Sequence, residues 1–151
     1  MPGIGEMARA NRAFLFRAVR HLAADAGIRQ FLDIGTGIPT EPNVHQVAQA
    51  ADPTARVLCV DNDPVVISHG RAFAHSTPEG RAAYVLGDLL DPDAILATDQ
   101  LHETLDLREP VGLLLAAVLS FFDPDEGATR TRPSRGSSTR SRPAATSSSR
   151  T

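Results

Sequence analysis

A short acidic and glycine-rich segment carries the clearest chemical signal in the sequence. Phe31-Leu-Asp-Ile-Gly-Thr-Gly37 runs from an apolar strand through a carboxylate into a turn with two glycines. Gly35 and Gly37 lack a Cβ, so the turn can take positive φ angles and its backbone can approach a ligand closely. This pattern is typical of a sheet edge that binds a nucleotide-like cofactor.

Asp33 discriminates between cofactor classes, because it places a carboxylate under the turn. A pyrophosphate would be repelled there, whereas a cofactor with an ammonium and a sulfonium group would not. The charge therefore favours S-adenosylmethionine. An NAD-dependent dehydrogenase is the alternative within the same fold class, but its fingerprint has a third glycine where this chain has Thr40, and Pro39 stiffens the turn.

Two further strand ends carry polar residues that suit the rest of such a cofactor. Asp61-Asn62 closes the second predicted strand, and an acidic residue there can accept both hydroxyls of a ribose. Gly87-Asp88-Leu89 closes the third, where Asp88 can accept from an adenine amine and Leu89 can donate its backbone N–H. Each feature alone is a weak signal, and their order along the chain makes the prediction.

Alternating helices and strands must position these residues. Strands are predicted at 30–34, 56–61, 82–86 and 111–119, and helices at 6–25, 43–50, 63–74, near 94–97 and at 101–105. The helix at 6–25 is amphipathic, and Asp63-Pro64 and Asp91-Pro92 are helix-start signals. This alternation predicts an α/β fold with a doubly wound parallel sheet, whose ligands bind at the carboxyl ends of the strands.

Composition and charge exclude several function classes. Of the 15 basic residues, all arginine, six fall in residues 128–151, which hold no acid. No aromatic residue accompanies these arginines, so specific nucleic-acid recognition is not expected.

The apolar stretch 111–122 is too short to span a membrane, and the start of the chain does not resemble a signal peptide. Cys59 is the only cysteine and is predicted to be buried, which fits a cytoplasmic location. The five histidines lack metal-ligand spacing, so no metal is predicted.

Over residues 10–125 the chain resembles the Rossmann-like S-adenosylmethionine-dependent methyltransferases, and more narrowly an actinobacterial family of such enzymes. The narrower resemblance rests on four segments: Ala10-Asn-Arg-Ala-Phe14, Phe31–Gly37, Val60-Asp-Asn-Asp-Pro64 and Gly87–Leu89. It implies the strand order 3-2-1-4 and transfer of a methyl group to an unknown acceptor. It also implies that the methionine part of the cofactor meets Asp33, Gly35, Thr36 and Gly37, the ribose Asp61 and Asn62, and the adenine Asp88 and Leu89.

No catalytic residue is predicted from these motifs. Methyl transfer from a sulfonium is an in-line displacement, so holding the acceptor close and aligned can supply much of the rate. The resemblance implies a histidine at the position of Ser120, but a hydroxyl that ends a strand is the simpler interpretation of this residue.

Residues 1–127 are predicted to be a partial methyltransferase domain, and residues 128–151 a disordered tail rich in Arg, Ser, Thr and Pro. We hypothesise a frameshift near Gly127, because regrouped codons for residues 131–151 permit a helix, a Pro-Gly turn and an apolar strand. The nucleotide sequence tests this hypothesis. A truncated sheet would expose the strand at 111–119 to self-association, and the chain could be an inactive cofactor-binding remnant.

Overall fold

The structure, a computed structural model, describes residues 4–115 and alternates helix and strand throughout this part. Its elements are α1 (Ile4–Ala24), β1 (Gln30–Ile34), α2 (Val44–Ala51), β2 (Arg56–Asp61), α3 (Pro64–Ala72), β3 (Arg81–Leu86), α4 (Pro92–Leu96), α5 (Asp99–Thr104) and β4 (Gly112–Leu114). Each predicted element has a counterpart, with identical bounds for the first two strands and bounds that differ by a few residues for the others. Several predictions lie outside the described residues. They concern the part of the fourth strand from 116 to 119, Ser120, the frameshift near Gly127 and the tail 128–151.

All four strands are parallel and follow the order β3-β2-β1-β4, which confirms the predicted doubly wound arrangement. The chain winds outward from β1 to β3 and then returns to place β4 on the other side of β1. This reversal makes the carboxyl ends of β1 and β4 the switch point of the sheet, where ligands of such folds bind. The glycine turn follows β1 directly and therefore lies at this point.

Side-chain caps fix where α3 and α4 begin, the helices that follow β2 and β3. Asp63 accepts a hydrogen bond from the Val65 backbone N–H at 2.9 Å, and Asp91 accepts one from Ala94 at 3.3 Å. In each case a proline occupies the first turn of the helix, where its missing N–H leaves no bond unmade. The two Asp-Pro signals therefore begin α3 and α4 as predicted.

The sheet buries a separate apolar cluster on each face. Phe31, Val57 and Cys59 point to the face that α1, α2 and α3 cover, whereas alternate residues such as Leu32 and Leu58 point to α4 and α5. Cys59 is buried as predicted. The same alternation places Asp33 on the face of Phe31, under α1 and α2. No helix within residues 4–115 is both long and apolar enough to cross a membrane.

His45 on α2 gives the fold a predicted sensitivity to acid. The side chain is fully buried, and neither ring nitrogen has a hydrogen-bond partner of ordinary geometry among the described residues. Burial lowers the pKa of His45, and the backbone of His75 opposes this shift only in part. Because an unfolded histidine binds a proton near about pH 6.5, the unfolded state takes up more protons in acid and stability falls as the pH drops.

We expect this histidine to remove at most about 2 kcal/mol of stability between about pH 7 and about pH 5. His45→Leu should flatten that part of the curve when urea unfolding of the variant and parent is compared at each pH. Parallel curves for the two proteins would show that His45 is not the group responsible.

Candidate functional site

The glycine turn after β1 has the positive φ angles that its sequence predicts. Gly35 and Gly37 adopt φ angles of 76° and 74°, in the left-handed region that favours glycine. The backbone N–H groups of Gly35 and Thr36 both donate to the Val60 carbonyl oxygen, at 2.7 and 3.2 Å. The start of the turn is therefore fixed to β2, and these two N–H groups do not point to a ligand.

Asp61 fixes the far end of the same turn. Its Oδ2 accepts from the Gly37 backbone N–H at 3.0 Å, and its Oδ1 accepts from the Asp63 backbone N–H at 3.0 Å. One carboxylate thus joins the glycine turn to the start of α3. Since each carboxylate oxygen can accept a second hydrogen bond, Asp61 keeps acceptor capacity for a ligand hydroxyl.

Asp33 is a buried carboxyl group beneath the turn, with only 3% of its surface exposed. Burial raises its pKa to about 6, and the charge of Asp61 pushes the pKa in the same direction. A hydrogen bond with Thr36 and the charge of Arg12 act against this rise without cancelling it. The ionised form of Asp33 therefore lacks full compensation, and a cationic group placed beside it would be stabilised.

The third strand end lies next to the second and is more open. The Gly87 backbone N–H donates to the Asp61 carbonyl oxygen at 2.9 Å, which ties the end of β3 to the end of β2. Asp88 is exposed and its Oδ1 accepts from the Leu90 backbone N–H at 2.9 Å, whereas Leu89 is half-buried. Asn62 is also exposed. The predicted residues thus occupy the ends of three adjacent strands.

Arg12 on α1 belongs to this neighbourhood, although no role was predicted for it. Its Nη2 donates to the carbonyl oxygens of Thr40 and Pro42, the latter at 2.6 Å. The guanidinium carbon lies 4.9 Å from the centroid of the Phe16 ring. The available signal was the segment 10–14, which contributes to the family resemblance and contains this arginine.

Comparison with known families decides the lineage. A sequence profile for the family described as S-adenosyl methyltransferase matches residues 1–133. The chain belongs to this family. Membership of the S-adenosyl methyltransferase family confirms the resemblance drawn from the four segments, and the parallel sheet of order 3-2-1-4 is the fold expected for it. A search of curated proteins finds no significant match.

Two solved actinobacterial structures resemble this S-adenosyl methyltransferase family chain. A DUF574 family protein from Streptomyces avermitilis is 59% identical, with a TM-score of 0.67, and the match covers 70% of this chain and 40% of the other. A candidate methyltransferase from Thermobifida fusca is 43% identical, with a TM-score of 0.75, over 83% of this chain and 46% of the other. This chain therefore spans less than half of the length of either relative.

The cofactor of the family is S-adenosylmethionine, and the site has a charge that fits it. This cofactor carries an ammonium and a sulfonium, and the buried Asp33 carboxyl, with Asp61 beside it, is the kind of group that a cation stabilises. Within residues 4–115, no three candidate side chains come together in a group that could hold a metal ion.

Proposed function

We propose that this chain binds S-adenosylmethionine at the carboxyl ends of β1, β2 and β3, as part of an enzyme that transfers the methyl group to an unknown acceptor. The observation that carries the proposal is the buried Asp33, whose pKa of about 6 reflects burial and the charge of Asp61. A cationic ligand group would relieve both effects, whereas an anionic one would add to them.

The chain offers a different chemistry to each part of the cofactor. Asp33 would pair with the ammonium, and the glycine turn from Gly35 through Thr36 to Gly37 would let the backbone approach the methionine part. Asp61 has acceptor capacity left for ribose hydroxyls, with Asn62 beside it. Asp88 and Leu89 would receive the adenine edge, as carboxylate acceptor and backbone donor.

When bound, S-adenosylmethionine supplies an activated methyl group on its sulfonium. The residues of this chain would hold and orient the cofactor, because Asp61 joins the glycine turn to the start of α3 through two hydrogen bonds of 3.0 Å each. Such a pre-formed site favours catalysis through alignment of the reacting atoms, and no side chain of the site is assigned as a proton donor or acceptor.

The two alternatives make different predictions for this site. An NAD-dependent dehydrogenase is disfavoured because the N–H groups of Gly35, Thr36 and Gly37 all donate within the protein, which leaves them unavailable to a pyrophosphate. A noncatalytic cofactor-binding remnant would keep the same site but transfer no methyl group.

A cytoplasmic location, which the single cysteine favours, is part of our proposal.

Calorimetric titration of the full 151-residue chain tests the cofactor assignment. We expect S-adenosylmethionine and S-adenosylhomocysteine to bind with about micromolar affinity and NAD not to bind. Binding of NAD in their place would support the dehydrogenase, and failure of all three ligands to bind would exclude a working cofactor site. Binding of S-adenosylmethionine without methyl transfer to any acceptor would support the remnant.

Two glycines offer a matched pair of variants for the same titration. Gly37 in the turn and Gly27 after α1 have φ angles of 74° and 71°, and a Cβ at either position would meet no atom within 4 Å. Each substitution by alanine should therefore cost about 1–2 kcal/mol of stability through backbone strain alone. Only Gly37→Ala should also weaken cofactor binding, so equal affinities in the two variants would argue against the turn as the binding element.

We also propose self-association through the fourth strand. Among the described residues β4 pairs only with β1, and Leu113 on β4 is 57% exposed. A parallel strand with a free apolar edge is prone to pair with another chain. Sedimentation analysis should show concentration-dependent oligomers that Leu113→Glu reduces, and a monomer at every concentration would refute the proposal.

A further inference from the structure

We propose that Arg12 recognises the α-carboxylate of the methionine part of S-adenosylmethionine and so orients the cofactor. The inference rests on the proposed function, because it concerns the same cofactor. It assigns to α1 a binding role, beyond the glycine turn and the two further strand ends.

The first step is the fate of the backbone donors in the glycine turn. Gly35 and Thr36 donate to the Val60 carbonyl oxygen, and Gly37 donates to the Asp61 carboxylate. An anionic group of the ligand therefore finds none of these three N–H groups free. It also meets the carboxylates of Asp33 and Asp61, which repel it.

The second step is the charge pattern of the ligand. The amino-acid end of S-adenosylmethionine carries an ammonium and a carboxylate on the same carbon. Asp33 suits the ammonium, so the carboxylate must lie close to Asp33 and still find a cation. A site with acidic residues alone would leave this carboxylate without a cation and beside like charges, which weakens binding.

The third step is the placement of Arg12. It lies on α1, one of the helices that cover the sheet face of Asp33, and its charge acts on that carboxyl group. It also holds the segment after the glycine turn, because its Nη2 donates to the Thr40 and Pro42 carbonyls. Arg12 is thus a cation tied to the turn on one side and electrostatically coupled to Asp33 on the other.

The fourth step is the donor capacity that Arg12 retains. A guanidinium has five N–H groups, and the two contacts to Thr40 and Pro42 use those of Nη2. Nε and Nη1 have no hydrogen-bond partner among residues 4–115. A guanidinium that is fixed at one nitrogen, and whose other N–H groups have no partner among the described residues, is suited to a carboxylate, because it binds this group in a planar, two-point geometry.

The test compares ligands that differ by the carboxylate alone. The full chain is titrated with S-adenosylmethionine and with decarboxylated S-adenosylmethionine, which keeps the ammonium and the sulfonium. We expect the parent protein to bind the former about 10- to 100-fold more tightly. Arg12→Gln should remove this preference, and Arg12→Lys, which keeps the charge but not the planar fork, should keep part of it. Arg20→Lys, at an exposed position of the same helix, should leave the preference unchanged.

The preference is a ratio within one protein, so a general loss of affinity does not imitate it. Equal affinity of the parent for the two ligands would overturn the proposal without the use of any variant. If Arg12→Gln lowered the affinity for both ligands by the same factor, Arg12 would only hold the Thr40–Pro42 segment in place. This result would also overturn the proposal. If the parent bound neither ligand, the proposed function itself would fail.

Discussion

Replacing Asp33 by asparagine should make the ligand-free protein more stable at neutral pH while it weakens cofactor binding. Burial and the charge of Asp61 raise the pKa of Asp33 from 3.8 to about 6. Keeping this group ionised at neutral pH therefore costs about 3 kcal/mol relative to the unfolded chain. Asparagine has nearly the same shape and carries no charge, so most of this cost should disappear.

The pH dependence distinguishes this cause from a change in packing. Between 3.8 and about 6 the folded protein holds a proton on Asp33 that the unfolded chain has released. The stability that Asp33 contributes is therefore fully present below its pKa in the unfolded chain, and it is lost as the pH rises through its pKa in the folded protein. The advantage of Asp33→Asn should be small near about pH 4 and complete above about pH 7.

Urea unfolding of the parent and Asp33→Asn proteins at these two pH values measures the effect. Glu79→Gln is a suitable control, because Glu79 is exposed in the loop before β3, at the opposite end of this strand from the site. At neutral pH it should change stability by less than about 0.5 kcal/mol. A difference between the parent and Asp33→Asn that is equal at both pH values would show that charge is not the cause.

The same substitution should reduce affinity for S-adenosylmethionine about 10- to 100-fold, because the ammonium loses a charged partner. A stabilising change that removes binding would identify Asp33 as a residue kept for function at a cost in stability. The affinity for 5′-methylthioadenosine, which lacks the amino-acid end, should change little. If both ligands weakened equally, Asp33 would act on the whole site and not on the ammonium.

Local signals account for the accuracy of the fold prediction. Asp63 and Asp91 accept from the first-turn N–H groups of their helices, and each is followed by a proline, so a few adjacent residues specify where α3 and α4 begin. The strands at 30–34 and 56–61 were predicted to the residue, since apolar runs buried on both faces are bounded by turn residues. Parallel pairing in a doubly wound sheet follows from the alternation of helices with such strands, whereas the strand order 3-2-1-4 was implied by the family resemblance.

Tertiary contacts could not be predicted in the same way. Arg12 is 28 residues from Thr40, and only the packing of α1 brings the two together. The sequence also suggested that the turn presents its backbone to a ligand, whereas three of its N–H groups donate to Val60 and Asp61. The complete burial of His45 likewise depends on how α2 packs on the sheet. Such features depend on the final arrangement of elements and leave no periodic signal.

Asp61→Ala should destabilise the protein by about 2–4 kcal/mol, because both carboxylate oxygens accept hydrogen bonds from the backbone. Without these acceptors, the N–H groups of Gly37 and Asp63 lose partners at 3.0 Å each. The loss releases the end of the glycine turn from the start of α3. Urea unfolding measures the change directly.

Asp63→Ala is the matched control, since it removes a neighbouring carboxylate that only caps α3 through Val65. Loss of that cap should cost about 1 kcal/mol and leave cofactor affinity unchanged. Equal destabilisation by the two substitutions would show that Asp61 does not hold the turn.

The ligand profile of Asp61→Ala should differ from that of Asp33→Asn. Asp61 is assigned to the ribose, which S-adenosylmethionine and 5′-methylthioadenosine share, so the affinity for both ligands should fall by a similar factor. Asp61 also raises the pKa of Asp33, so its removal should lower that pKa and shrink the pH dependence of stability. If Asp61→Ala weakened only ligands with an amino-acid end, the ribose assignment would be wrong, and Asp61 would act through Asp33.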